Sequence, residues 1–474
     1  MALETFLIKL KNAISSKPTS HRPTRSTSPP TTTTSSVGVL SFEVARLMTK
    51  VLHLTHSLTD SNLLSLRDHS LSLEGLTKIV TGDETFHLSL VCAELADSLV
   101  HTAGSVSRLS LRCTTPSLRS FHRLFHEFAD MGRDPHGWVT SCKDTESKNK
   151  KIERYVSVTT ALYREMEEMT SLENSLRKHN SQIRIEYEED SKKDAIKVMD
   201  LQQKIERQRQ HVKYLKDRSL WNKSFDTVVL ILARSVFTAL ARLKTVFSSA
   251  AAAASSCHMG PSPTVVSFLP RSLSSSSSSM NLVHPSPNDE ERLKTASSSA
   301  FLEESARLLK PPETTLGGSG AALHYANLIV VMEKMIKQPQ LVGLDARDDL
   351  YSMLPASVRS SLRSRLKGVG FTATDGGLAV EWKAALGRIL RWLLPLAQNM
   401  IRWQSERSFE QRHVATAVNC QSRVMLVQTL LFADKVKTEA AITELLVGLN
   451  YIWRFEREMT AKALFNLQSP PNHS

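Results

Sequence analysis

Apolar residues recur along most of this chain at intervals of three and four, the spacing that turns one stripe of a helix towards a core. Val39, Leu40, Phe42, Val44, Leu47, Met48, Val51, Leu52 and Leu54 keep that spacing. They predict a helix with Ser41 and Glu43 at its start. Leu63 to Ile79 predicts a second helix that stops at Gly82-Asp83, and Asp83 to His101 a third. Pro116 to Met131 predicts a fourth, with proline suited to the first turn and Gly132 as the stop. Helices packed this densely predict a compact bundle over 37–144.

Over 145–220 the period tightens to heptads. Ile152, Thr159 and Met166 fall at a, with Tyr155, Leu162, Met169, Leu176 and Ile183 at d. A polar break from Glu186 to Lys193 interrupts the pattern. It resumes with Val198, Ile205 and Val212 at a, and Leu201, Gln208 and Leu215 at d. This reads as a coiled-coil-like segment, either an antiparallel hairpin or one long helix. Ser224 to Phe247 is amphipathic, with Val228, Ile231, Leu232, Val236, Leu240, Leu243 and Phe247 on one side. Residues 248–320 carry an alanine run, Ser274 to Ser279 and several Ser-Pro steps. They predict a disordered Ser-rich linker with one short helix from Glu290 to Leu309. Helical spacing returns at Ala321 and ends before Pro339. Further helices are expected at 347–353, 357–367, 382–407 (with Pro395 as a kink), 412–435 and 438–465. No stretch alternates as a strand does. The expected fold is all-α: helical-bundle domains at 37–144 and 321–474, a long charged helical segment at 145–247, and a linker at 248–320. Residues 1–36 are expected to be an N-terminal helix and a Ser/Thr/Pro tether.

Composition changes this picture little; charge changes it more. The chain has 474 residues and a net formal charge of +13, which raises nucleic acid and anionic membranes as partners. By segment, 145–247 and 321–474 each carry +6, while 37–144 is −2. The charge therefore concentrates in two helical runs. One is Lys204, Arg207, Arg209, Lys213, Lys216, Arg218 and Lys223; the other is Arg359, Arg363, Arg365 and Lys367. No aromatic residues interleave with either run in a way that would stack bases, and no nucleic-acid motif is present, so nucleic acid is set aside. The ordinary reading of both is a solvated helix face, followed by contact with an anionic partner. The first run leads into Trp221 and the amphipathic helix, a combination that also fits an anionic membrane or a calmodulin groove. A core helix is the favoured reading. Five cysteines, odd in number and far apart, predict neither a disulfide framework nor a zinc site, and fit a reducing compartment. No run of 18 apolar residues occurs.

Two blocks carry a family likeness. One is Val37-Gly38-Val39-Leu40-Ser41-Phe42-Glu43-Val44-Ala45, continuing to about Leu95. The other is Leu316-Gly317-Gly318-Ser319-Gly320-Ala321-Ala322-Leu323-His324-Tyr325-Ala326-Asn327. It continues through Arg347-Asp348-Asp349-Leu350-Tyr351, Leu354-Pro355 and Ser361-Leu362-Arg363 into Trp392-Leu393-Leu394-Pro395. Together they resemble the plant phytosulfokine-simulator-like family, which pairs two domains of unknown function. The resemblance implies a plant protein of growth regulation, with no known catalytic activity and no binding residues to carry over. Members of that family that begin Met-Gly look myristoylated; this chain begins Met1-Ala2, which does not fit N-myristoylation.

Candidate chemistry is sparse. His122 and His126 lie four apart, as do zinc-binding pairs, but Arg123 stands where a metalloprotease has glutamate, and a polar face is favoured. His53 and His56 are read the same way. Gly317-Gly318-Ser319-Gly320 before a helix suggests a phosphate cradle, against the favoured reading of a hinge. Asp345, Asp348 and Asp349 lack calcium-loop spacing. No catalytic residue, cofactor or metal is assigned. Ser28, Ser262 and Ser286 precede proline and Ser274 follows Arg271 at three, so these are expected phosphosites. The expected function is a non-enzymatic regulatory or scaffold protein in plant growth signalling, inside the cell, in nucleus or cytoplasm with possible plasma-membrane association. Its expected partners are other proteins met through helical surfaces. The alternatives are a peripheral membrane adaptor using 204–247 and an enzyme of unrecognised type.

Overall fold

In the computed structural model, residues 36–70, 73–183, 191–255, 300–370, 373–412 and 424–468 are described. Among them the regular structure is helical, with two isolated β-bridges and no strand. The first helices are α1 (Ser41–Ser57), α2 (Asp60–Ser65), α3 (Glu74–Ile79) and α4 (Glu84–Ser110). Val44, Met48 and Val51 of α1 are at most 1% exposed, which is the stripe read from the sequence. The Asp83 carboxylate caps α4 by accepting from the Thr85 amide at 2.9 Å. The expected helix from Leu63 to Ile79 is broken into α2, a five-residue π turn (Leu66–Ser70) and α3.

Next come α5 (Pro116–Arg119) and α6 (Phe121–Met131), where one helix was expected. The break at Ser120 turns Phe121, Phe125 and Phe128 onto Phe237, with Trp138 closing the cluster; ring centroids are 4.9–6.4 Å from Phe237. Gly132 ends α6 in the left-handed region at φ 68°.

The heptad segment folds as an antiparallel hairpin of α7 (Cys142–Ile183) and α8 (Ser191–Arg218). Its direction follows from its crosslinks: Leu220 N donates to Thr159 Oγ1 at 3.2 Å, and Gln208 Nε2 to Glu165 Oε2 at 2.6 Å. The amphipathic stretch becomes α9 (Phe225–Ser255). Val228, Val229, Leu232, Ala233, Val236, Phe237, Leu240 and Leu243 are all at most 1% exposed. Its apolar face therefore lies inside the protein, mainly against α4. The cations on its flank are also used. Lys244 Nζ donates to the Ala129 carbonyl, at the C-terminal end of α6 where helix carbonyls lack partners. Arg242 pairs with Asp60.

The remaining helices are α10 (Ala300–Leu308), α11 (Ala322–Lys337), α12 (Leu344–Met353), α13 (Ala356–Leu366), α14 (Gly376–Arg412) and α15 (Lys435–Gln468). Pro395 lies within α14 as expected. The helix expected from Arg412 to Lys435 is not found over 424–434, which hold a short 3-10 turn at Leu426–Gln428. Gln428 Oε1 accepts from the Met425 amide at 2.8 Å, and Asp434 Oδ1 from the Lys437 amide at 2.8 Å, so polar side chains stop one element and start the next.

Two separate bundles are also not found. The described residues from Ser36 on form one compact unit, and its main apolar core runs from Val37 to Ile452. Three contacts show why. Gly75 of α3 sits so close to α14 that a Cβ there would lie 2.5 Å from the Trp392 carbonyl oxygen. Glu94 Oε2 on α4 accepts from the Leu426 amide at 2.7 Å. Phe86 meets Phe432 edge-on at 6.4 Å. The segment from α10 to Gly320, expected to be linker, belongs to the same body: Leu302 and Leu316 are buried. Residues 248–255, also expected to be linker, continue α9, and 256–299 lie outside the described residues.

Candidate interaction surfaces

The first basic run lies on α8, the shorter arm of the hairpin, about 42 Å long. Its base is fixed. Leu162, Met166, Val212 and Leu215 form a small core with Phe42 and Trp221 beside it. Phe42 meets both Tyr163 and Trp221 edge-on, at 5.2 and 5.9 Å. Gln208, polar at a seam position, is satisfied by Glu165, which pins the register of the pair. The basic side chains divide by environment. Lys216 lies 4.5 Å from the Trp221 ring, and Arg218 donates to the Tyr214 hydroxyl. Lys204 pairs with Asp200 at 2.7 Å; Arg209 is shared between Glu173 and Glu206 at 3.6 Å each. Among the described residues Arg207 reaches the Gln203 carbonyl, at 3.5 Å, and Lys213 is exposed. Lys223 is half-buried beyond the helix, its carbonyl holding the Val37 amide at 2.9 Å. Ile196 and Met199, further along α8, are 68% and 71% exposed.

The second run is organised differently. Arg365 pairs with Glu444 at 2.6 Å and so ties α13 to α15. Arg363 Nε donates to the Tyr351 hydroxyl at 2.9 Å, with its guanidinium 5.9 Å from that ring. Arg359 is half-buried and Lys367 exposed. One turn before Tyr351 on α12, the Arg347 guanidinium lies 3.3 Å from the centre of the Trp453 ring. Arg457, one turn after Trp453 on α15, lies 5.7 Å from the same ring. Trp453 Nε1 donates to the Val342 carbonyl at 3.1 Å, which fixes the indole. Burial pulls the Arg347 guanidinium down from its ordinary pKa; Arg457 adds to this and Asp348 opposes it. Folding thus brings an arginine of α12 and an arginine of α15 onto one ring. Arg347, Trp453 and Arg457 escaped the sequence reading because the pairing joins residues about a hundred apart. The one local hint is four-residue spacing, Arg347 with Tyr351 and Trp453 with Arg457.

The structure uses the remaining polar candidates to hold the fold. A phosphate cradle needs free amides, and those of Gly317 to Ala321 are taken. Gly317 donates to the Leu431 carbonyl, Gly318 to Thr315 Oγ1, Ser319 to the Thr315 carbonyl, Gly320 to Gly317 and Ala321 to Leu316, at 2.9–3.1 Å. The loop is tight rather than hinge-like: a Cβ on Gly318 would lie 2.0 Å from the Pro312 carbonyl oxygen. Tyr325 and Ser357 both donate to Glu439 Oε1, at 2.6 and 2.9 Å, joining α11, α13 and α15. Burial, then Glu439, push the Tyr325 phenol above its ordinary pKa. His324 Nε2 is 2.8 Å from the Met353 carbonyl oxygen. His122 and His126 sit ring to ring at 4.7 Å; burial and then His122 lower the His126 pKa. Burial pushes the Cys92 and Cys113 thiols up to about 12, so neither is an activated nucleophile. Among the described residues no three His, Cys, Asp or Glu are grouped to hold a metal, and no helix is long and apolar enough to cross a membrane. Ser28, Ser262, Ser274 and Ser286 lie outside the described residues.

Comparison with known proteins gives two family matches, a domain of unknown function (DUF3475) over 39–95 and a protein of unknown function (DUF668) over 315–402. Neither family description indicates an enzyme. The chain is 26% identical over 450 residues to Protein PSK SIMULATOR 1 of Arabidopsis thaliana, covering 92% of this chain and 58% of that protein. It is 26% identical to Protein PSK SIMULATOR 3 over 88% of this chain and 56% of the relative. For Protein PSK SIMULATOR 2 the figures are 23%, 92% and 63%, both relatives again from Arabidopsis thaliana. The chain thus spans about three-fifths of the length of these curated relatives. No solved structure matches.

Proposed function

We propose that this chain, a homologue of the PSK SIMULATOR proteins over about nine-tenths of its length, is a non-catalytic regulatory scaffold in plant growth signalling. The names of its relatives support the signalling role. The observation that carries the scaffold reading is the α7–α8 hairpin, held at its base by Phe42, Trp221 and Tyr163 while Arg207 and Lys213, further along α8, make no ion pair among the described residues. Such an arm presents charge to a partner at a fixed place without any reacting group. The enzyme alternative finds little support, since Tyr325, Ser357 and Glu439 bind one another. A membrane adaptor would need the apolar face of α9, which is turned into the core, so an acidic protein surface fits the basic run better than a bilayer. The working compartment is the cell interior, nucleus or cytoplasm, in keeping with five widely spaced cysteines. Proximity labelling in plant cells tests this, with the intact chain compared with a variant carrying Lys204→Glu, Arg207→Glu and Lys213→Glu. The scaffold reading expects a defined set of neighbours to disappear; an unchanged set sinks it.

A further inference from the structure

Arg457, Trp453 and Arg347 stack across α15 and α12, and one turn further along α12 Tyr351 meets Arg363 of α13, a broken ladder of guanidinium and ring. We propose that this ladder is a docking site for a phosphorylated peptide, with the phosphate held between Arg347 and Arg457. The site goes beyond the scaffold reading above and lies on different helices from the hairpin.

Charge is the first ground. Arg347 and Arg457 are drawn to one indole, at 3.3 and 5.7 Å, so two positive charges stand close together. Neither makes an ion pair with a carboxylate among the described residues. Two like charges side by side are stabilised by a dianion, and a phosphate monoester supplies one where a single carboxylate does not. Geometry is the second. Trp453 is fixed by its bond to the Val342 carbonyl, and the guanidinium of Arg347 is fixed on Trp453. An arginine held in place loses little freedom on forming paired bonds to phosphate oxygens.

The helix surface around the pair supplies the rest of a footprint. Leu344 and Tyr351 are two turns apart on one stripe of α12 and are 64% and 36% exposed. They flank Arg347 along the axis by about 10 Å in all, the reach of about three residues of extended chain. Asp345 and Asp349 lie round the far side of α12 from Arg347, by the 100° step of the helix. Asp348 borders the stripe on the side opposite Arg347. The matching ligand is a short extended peptide with apolar residues around the phosphate and no acid beside Asp348. A bilayer fits less well, because the cations are clamped arginines rather than a mobile lysine fringe. A nucleic acid strand fits less well, because Trp453 already carries two guanidinium groups and is not free to stack a base.

The test uses the full chain and three immobilised degenerate nonapeptide libraries, with phosphoserine, serine or glutamate fixed at the centre. Capture of the chain by the phosphoserine library should exceed capture by the serine library by about tenfold or more. Arg347→Ala with Arg457→Ala should abolish the difference. Arg347→Lys with Arg457→Lys, which keeps charge but not the fork, should lose most of it. Arg363→Ala should weaken capture about threefold, and it carries the test if the alanine pair lowers the melting temperature. The Lys204, Arg207 and Lys213 reversal should leave capture unchanged, so this site and the hairpin stand or fall separately. Equal capture by the phosphoserine and serine libraries overturns the proposal. So does preferential binding, dependent on Arg347 and Arg457, to phosphatidylserine vesicles or to a single-stranded oligonucleotide.

Discussion

The two basic regions of this protein carry comparable charge but present it in opposite ways. On α8 the cations follow one another along a single helix, and Lys204 and Arg209 are answered by acids on the same helix or across the hairpin. On the C-terminal helices the arginines come from three elements and are positioned by Trp453 and Tyr351. A run of charge is a property of the sequence; a charge held in position is a property of the fold. The first attracts a partner over a distance set by salt, while the second selects a shape.

The largest expected effect removes the frame that both regions share. Phe237 is fully buried beneath Phe121, Phe125, Phe128 and Trp138. Phe237→Ala should cost about 3–5 kcal/mol in denaturant unfolding. Both regions should then fail together; a loss under about 1 kcal/mol would mean that the aromatic cluster is not the keystone.

Separating the regions comes next. Trp221→Ala removes the ring that packs on Phe42 and carries Lys216, so about 2 kcal/mol of local stability should go. Limited proteolysis should open 142–218 early while 322–468 stays protected. Simultaneous cleavage of both would break the distinction. Glu439→Gln does the reverse. It replaces a charged acceptor of two hydroxyls and should cost about 1–2 kcal/mol, loosening α13 against α15 without affecting the hairpin. Hydrogen exchange over 356–366 reads this directly.

Smaller still are two pH effects in the shared frame. Burial lowers the His87 pKa below 6.5, and its Nε2 has no hydrogen-bond partner. The unfolded chain then binds more protons there, so stability should fall as pH drops below about 6.5. His87→Gln should flatten that slope in melts between pH 7.5 and 5. Burial raises the Asp226 pKa, but hydrogen bonds from Thr114, Thr115 and Cys113 more than offset it and hold the carboxyl at about 2. Its contribution is complete above about 3.8 and is lost as pH falls through 2. Solvent screening keeps it to about 1 kcal/mol or less. Asp226→Asn should remove that acid-limb loss without moving the neutral-pH melt by more than a degree or two.

Much of the fold was legible in the sequence because helix stripes are local. The buried positions of α1, α4 and α9 follow the apolar spacing, and of the two arrangements left open for the heptad segment the structure has the antiparallel hairpin. What escaped depended on distant partners. A shared core arises because Gly75 admits Trp392 and because Glu94 caps the Leu426 amide, contacts for which no stripe encodes the partner. The 412–435 expectation failed because Gln428 and Asp434 bind nearby amides and outcompete helix continuation over 424–434. Of the candidate site, the α8 run was visible as a density of charge. In the second run Arg365 proved to be a tie to Glu444, and the ring-held arginines came from residues no window contains together.

The central claim is that two separable basic surfaces connect this protein to different partners. Proximity labelling with three full-length baits tests it: the intact chain, the Lys204, Arg207 and Lys213 reversal, and Arg347→Ala with Arg457→Ala. The account expects each variant to lose its own subset of neighbours and keep the other's. Three identical neighbour sets, with all three baits folded, would contradict it.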